Sequence, residues 1–275
     1  MLYSLRRGLL DLVKRHEQRV PAAVKDHLYR RRIRLDLTPP SNLVIKVART
    51  KAEHLAAYRL LHDAYVDAGY MAADSSGMRR SSYQLIPGYR VLIAVHRGDI
   101  VATCSFIPDG PLGLPMDAAF DLKACRKAND GIAEISALAI KRGYRGHPGR
   151  LLFPMVKYFY EYASDQLDLS GLVFCVQPRH FDFYRAFFHA QPLRNGYLSE
   201  YGFVGGAPAQ AGILNFEASL SWGKKWYEGC EPERNVYDYI VNRTLPHLDS
   251  PRRDDGKSPV LEPELMRELL SGSLH

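Results

Sequence analysis

The residue best placed to do chemistry in this 275-residue chain is Glu134, a lone carboxylate at the start of the apolar run AEISALAI at 133 to 140. Alternation along a strand sets Glu134, Ser136 and Leu138 on one face and Ala133, Ile135, Ala137 and Ala139 on the other. A carboxylate in such a run needs a partner. Two readings are open: a general base that takes a proton from a substrate, or one half of a salt bridge with an arginine. Arg79 and Arg80 are adjacent guanidinium forks that match a substrate carboxylate, or else a solvated loop pair. In QPRHFDFYRAFF at 177 to 188, Tyr184 is either a reactive phenol or one more core aromatic beside Phe181, Phe183, Phe187 and Phe188. His180 has the proton affinity of a transfer group and the position of a helix cap. Cys104, Cys125, Cys175 and Cys230 are scattered, with no CxxC pair and no histidine partners, so neither a metal site nor a disulfide framework is expected.

The elements that must position these residues are legible in outline. Leu43 to Val47 alternates as a strand, and TKAE from Thr50 is a capping-box pattern that opens an amphipathic helix carrying Leu55, Tyr58, Leu61 and Tyr65. The runs at 89 to 95 and 100 to 107, separated by Arg97, Gly98 and Asp99, predict an antiparallel hairpin. A short helix is expected near Ala118 to Lys127, then the Glu134 strand, then a basic glycine-containing loop. That loop leads into a helix with Leu152, Met155, Phe159 and Tyr162 on one face. A strand at 172 to 176, a helix around Phe181 to Phe188 and a last strand over ILNFEASL at 213 to 220 complete the pattern. Three parts are expected: a basic amphipathic arm and linker over 1–41, an α/β domain over 42–221, and an irregular C-terminal extension over 222–275.

Three motifs carry a resemblance: GLPMDAAF at 113 to 120, AEISALAI at 133 to 140, and QPRHFDFYRAFF at 177 to 188. Over about Leu43 to Leu220 the chain resembles the long-chain N-acyl amino acid synthases, relatives of the acyl-homoserine-lactone synthases. The resemblance implies a GNAT-type acyltransferase fold, a mixed central sheet flanked by helices whose substrates meet where two central strands splay. It also implies transfer of a fatty acyl group from a phosphopantetheine thioester to an α-amine, with acyl carrier protein as the donor's carrier and no metal or other cofactor. In those terms Glu134 would remove a proton from the amine, because an ammonium cannot attack a thioester. Tyr184 stands where GNAT enzymes often place a tyrosine that protonates the departing sulfur. The lactone synthases and many synthases of the resembling family read Glu-x-Ser-Arg in this strand, whereas here Ala137 takes the arginine's place. Arg79 and Arg80 are then the candidates to hold the acceptor carboxylate, with Ser136 and His180 as further contacts. The loop from Tyr144 to Arg150 resembles the acyl-CoA loop of GNAT enzymes, with Pro148 near a usual glycine. Arg142, Arg145, Gly146, Gly149 and Arg150 are the expected donor contacts, to CoA phosphates or to an acidic carrier, and Lys157 extends the basic cluster.

Charge bears on partners. Residues 1 to 35 hold ten Lys or Arg against three acids, which accounts for the whole formal charge of +7 and leaves the remainder balanced. A basic arm on a neutral body suits an acidic partner or an anionic membrane face rather than nucleic acid, or is a solvated extension. Leu2, Leu5, Leu9, Leu12 and Val13 would share a helical face within it. No apolar run approaches the roughly 20 residues needed to cross a bilayer, and no signal-peptide pattern is present. A cytoplasmic protein, peripheral at the inner membrane face at most, is expected. Two competing functions stand beside the synthase: an acyl-CoA-dependent N-acetyltransferase of the same fold, and a non-catalytic acyl-binding or membrane-associated module.

Overall fold

A computed structural model describes residues 21–33, 35–85, 88–146, 148–245 and 248. The amphipathic face expected over Leu2 to Val13, and the polar and helical segments expected between residues 250 and 270, lie outside them.

Seven strands form one sheet in the order β1-β2-β3-β4-β5-β7-β6. They are β1 (Leu43–Val47), β2 (Arg90–His96), β3 (Asp99–Pro108), β4 (Ile132–Ile140), β5 (Gly171–Val176), β6 (Gln191–Tyr201) and β7 (Ala207–Asn215). The first four run antiparallel, β4 and β5 are parallel, and β7 and β6 return antiparallel. The hairpin between β2 and β3 forms as expected: Arg97 and Gly98 both take positive φ, 55° and 83°, matching the twist that tight hairpins require.

The helices are α1 (Ala22–Arg32), α2 (Lys51–Asp67), α3 (Lys123–Ala128), α4 (Pro148–Glu161), α5 (Pro178–Phe188), α6 (Phe216–Trp226) and α7 (Val236–Val241). The capping box is present: the Glu53 N–H donates to Thr50 Oγ1 at 3.2 Å, and Glu53 Oε2 accepts from the Thr50 N–H at 3.1 Å. One sheet face packs on α4 through Leu43, Leu92, Phe106 and Ala133 against Leu151, Met155 and Phe159. The other face packs Ala57 and Tyr58 of α2 against Val91 and Ile93.

Several expectations are corrected. ILNFEASL is not a strand throughout: β7 stops at Asn215, whose side chain accepts the Ala218 N–H at 2.8 Å and so caps α6. The expected boundary between 221 and 222 therefore falls inside α6. The helix expected near Ala118 to Lys127 divides into a 3-10 turn at Pro115–Ala118 and α3. The run β6 is an additional strand, disguised by Pro192 and by Asn195 at φ 56°.

Both flanks of the expected domain pack onto it. Arg30 of α1 donates to the Ala186 carbonyl at 2.6 Å, and Arg185 bonds Asp26 at 2.8 Å. Val236, Tyr239 and Ile240 of α7 join Phe153, Phe183 and Phe187 in one cluster. Lys157 is not an exposed donor contact. It is 2% exposed, donates to the Ile240 carbonyl at 2.7 Å and pairs with Glu161 at 2.8 Å, which fastens α7 to α4. Among the described residues no helix is long and apolar enough to cross a membrane.

Candidate active site

The parallel pairing of β4 with β5 ends at Ile135 and Phe174, while β4 continues to Ile140 and β5 to Val176. Beyond that rung the two strands part. A bulge sits on the β4 side of the opening. Ser136 pairs with Ser105 and Ala139 with Thr103, so Ala137 and Leu138 together oppose Cys104, and Ala137 takes φ 54°. The extra residue reverses the facing of everything after it. Leu138 therefore packs with Ala133 and Ile135 on the α4 face rather than beside Glu134, while Ala137 and Ala139 join Leu61 and Tyr65 of α2.

Glu134 lies one residue before the opening, paired across to Ile107 and Val173 and only 3% exposed. Its Oε2 accepts the Met116 N–H at 2.8 Å from the Pro115–Ala118 turn. Burial pushes its carboxyl up to about 8, against the Met116 and Ser136 hydrogen bonds that favour the anion. Such a carboxyl exchanges protons near neutral pH, which a surface glutamate does not. No arginine pairs with it among the described residues.

Next to Glu134 a narrow cavity is lined by Arg79, Arg80, Ser105, Ser136 and Ala137, among others. The two arginines are each 6% exposed, not a solvated loop pair. Arg79 is sandwiched, its guanidinium 4.5 Å from the Tyr65 ring and 4.8 Å from that of Phe203, and it donates to the Phe203 carbonyl at 2.9 Å. Tyr89 and Ser105 share a hydrogen bond of 2.7 Å at the cavity wall.

Tyr184 sits on the opposite face. Its ring packs 5.0 Å from Phe174, the last residue of β5 paired with β4, and its hydroxyl is within electrostatic reach of the Cys104 thiol under the bulge. Burial raises it above the ordinary phenol range, so it stays protonated and can donate. His180, expected among the acceptor contacts, is exposed on the first turn of α5 and does not line the cavity.

In the loop expected to meet the donor, Pro148 is the first residue of α4, where a missing N–H costs least, and the amides of Gly149 and Arg150 follow in the same turn. Gly146 takes φ 92° at the approach to it. Arg142, Arg145 and Arg150 are exposed, the last two reaching Asp67 at 3.8 Å and Asp36 at 3.9 Å. Tyr144 is anchored by a 2.7 Å hydrogen bond to His96. The Met116 amide, the Ala137 bulge and the burial of the two arginines carry no signal in the sequence.

A mixed sheet that opens between two parallel central strands, with a titratable carboxylate on one side and a phenol on the other, defines an acyltransferase of the GNAT fold. The family described as N-acyl amino acid synthase FeeM matches residues 56–215, and the chain belongs to that family. Its N-acyltransferase activity follows from that membership. Among solved structures, FeeM, an N-acyl amino acid synthase from uncultured soil microbes, is 25% identical, with 65% of this chain and 93% of that one covered at a TM-score of 0.54. BjaI, a CoA-dependent acyl-homoserine lactone synthase solved with SAM and isopentyl-CoA, is 18% identical, with 78% and 96% covered at a TM-score of 0.52; it shows the fold alone. No curated protein sequence matches.

Proposed function

We propose that the enzyme moves a long-chain fatty acyl group from the phosphopantetheine thioester of an acyl carrier protein to the α-amine of an amino acid. The observation that carries this reading is Glu134: a buried carboxylate with its affinity for protons near that of an α-amine, beside a cavity with two buried arginines. A proton passes from the acceptor's ammonium to Glu134 at little cost when the two affinities are close. The freed amine attacks the thioester carbonyl, the C–N bond forms, and as the C–S bond breaks the nitrogen's second proton passes to the departing sulfur, giving the amide and a free thiol. Tyr184 donates a hydrogen bond to that sulfur from the other face. Because its phenol holds its proton more tightly than a thiol does, full proton transfer is a minor part of its contribution.

Arg79 and Arg80 are proposed to receive the acceptor carboxylate. Both line the same cavity as Ala137, the position at which the lactone synthases carry arginine. Arg142, Arg145 and Arg150, with Gly146 and Gly149 shaping the loop, are proposed to meet the donor's acidic carrier. The positive charge of residues 1–35 suits the same kind of surface, a carrier protein or the anionic inner face of a membrane from the cytoplasmic side.

The test is expression in a bacterium, lipid extraction and mass spectrometry. The expected result is a new long-chain N-acyl amino acid, absent when Glu134→Gln replaces the wild type. A short-chain amide, or no new amide from well-folded protein, overturns the reading.

A further inference from the structure

Arg126 of α3 spends four hydrogen bonds on two carboxylates. Its Nε and Nη2 bond Asp109 Oδ2 and Oδ1 at 2.6 and 2.9 Å, and its Nη1 and Nη2 bond Asp117 Oδ1 and Oδ2 at 2.7 and 2.5 Å. Both carboxylates belong to segments that touch Glu134. Asp109 follows two residues after Ile107, the cross-strand partner of Glu134, and its own N–H donates to the Ile132 carbonyl at 3.0 Å. Asp117 is next to Met116, whose N–H holds Glu134.

The turn between them is closed on itself. Asp117 Oδ2 also accepts the Leu114 N–H at 2.8 Å. Gly113 sits at φ 70° so close that a Cβ there would stand 2.8 Å from the same oxygen. One guanidinium thus joins the end of β3 to the turn that presents the Met116 amide. Bidentate arginine pairing fixes geometry as well as charge.

We propose that Arg126 and Asp117 form a positioning clamp that holds the Met116 amide against the Glu134 carboxylate and tunes how readily that carboxylate accepts a proton. The inference rests on the reading of Glu134 as base. The charged and titratable groups around Glu134 are Asp117 from the turn, Cys175 from β5 and Tyr201 from β6. Arg79, Arg80, Tyr83 and Tyr89 line the adjoining cavity, and Tyr65 of α2 stands against Arg79. Asp117 is the carboxylate in this set. Its charge disfavours the Glu134 anion, and Arg126 offsets that charge.

The two partners therefore have opposite signs. Asp117→Asn keeps the shape and an acceptor for Leu114 but removes the like charge, so Glu134 should give up its proton at lower pH. Arg126→Met leaves Asp117 uncompensated, so Glu134 should keep its proton to higher pH. The double variant should return towards wild type. A mere loosening of the turn would move both single variants the same way.

Two measurements keep the clamp and the base reading separate. The carboxyl carbon of Glu134, observed by NMR in protein carrying 13C-labelled glutamate and assigned by its loss in Glu134→Gln, reports protonation without turnover. The pH profile of kcat/KM reports the catalytic group. The expected result is a midpoint about half a pH unit lower in Asp117→Asn and about half a unit higher in Arg126→Met, in both measurements. NMR midpoints that stay put, or that move in one direction in both variants, overturn the clamp. NMR midpoints that part as expected while the rate profile stays fixed leave the clamp standing and overturn Glu134 as base. Should Arg126→Met fold poorly, the isosteric Asp117→Asn decides alone.

Discussion

Glu134 and Tyr184 flank the β4–β5 opening from opposite faces of the sheet, Glu134 one residue before the last paired rung and Tyr184 with its ring 5.0 Å from Phe174 on that rung. The gap where the strands part lies between them. An amine deprotonated on one face and a sulfur released towards the other require the thioester carbonyl to lie in that gap. In the proposed reaction each residue would then act on a different atom.

Glu134→Gln keeps the side chain's size and loses its basicity, so kcat/KM should fall by roughly a hundredfold or more. In the wild type kcat/KM should rise with pH through the region of 8, where burial has pushed the carboxyl, and this limb should vanish in the variant. Stability offers a second check. A carboxyl raised in the folded state stabilises fully below its unfolded value near 4.5, and that contribution is lost as pH rises towards 8. Melting temperatures of wild type and variant, compared at pH 5 and pH 8, should favour the variant more at pH 8. Wild-type turnover by folded Glu134→Gln removes the assignment.

Tyr184→Phe should cost about tenfold in kcat, the scale of a weakly needed acid. A thiolate whose conjugate acid lies near 8.5 leaves without much help. The ring should still fill the space beside Phe174 and Phe183. Loss of all activity in Tyr184→Phe, with Glu134→Gln still active, requires the two roles to be exchanged.

Arg145 and Arg150 are exposed; Arg145 Nε donates to the Ile140 carbonyl at 2.7 Å, but their carboxylate contacts, to Asp67 and Asp36, are long at 3.8 and 3.9 Å, which leaves charge to offer an acidic carrier. Replacing both with Ala should raise the apparent KM for long-chain acyl carrier protein and leave an acyl-pantetheine donor nearly untouched. Added salt should do the same to the wild type, because the Debye length shrinks from about 10 Å at 0.1 M to about 3 Å at 1 M. Initial rates with carrier-bound, CoA-bound and pantetheine donors at two ionic strengths decide this. A preference for acyl-CoA, with the arginine changes hurting CoA more than the carrier, favours a CoA-dependent enzyme instead.

Lys157→Ala should lower the unfolding free energy by about 3 kcal/mol, because it strands the Ile240 carbonyl and the Glu161 carboxylate and leaves a void. Lys157→Met restores the volume but not the hydrogen bonds, and should recover part of the loss in urea titrations. Equal stability of all three proteins is inconsistent with Lys157 as a fastening between α4 and α7.

What the chain discloses without its structure is mostly local. Thr50 with Glu53, and Arg97 with Gly98, are short-range patterns whose geometry follows from residue type, and both appear as read. Glu134 stands out because a carboxylate in an apolar strand is costly anywhere. The bulge does not announce itself, since Ala137 is an ordinary residue in a backbone conformation that favours glycine, and its effect on Leu138 was unreadable. Arg79 looks like a loop residue until Phe203, 124 positions away, closes over it. The Arg126 clamp is likewise assembled from three segments that meet only in the fold.

The Lys157 fastening also bears on how the protein is made. Its acceptor, the Ile240 carbonyl, lies 83 positions downstream, and the Arg30 bond to Ala186 spans 156 positions. Both ends of the described chain therefore close over the same aromatic cluster around Phe153 and Phe187. During synthesis that cluster has to wait, partly uncovered, until residues 236–241 have left the ribosome. The α4–α5 side is accordingly open to misassembly while the polypeptide is growing, and a chaperone present at that moment would meet Phe153, Phe183 and Phe187 before α7 does.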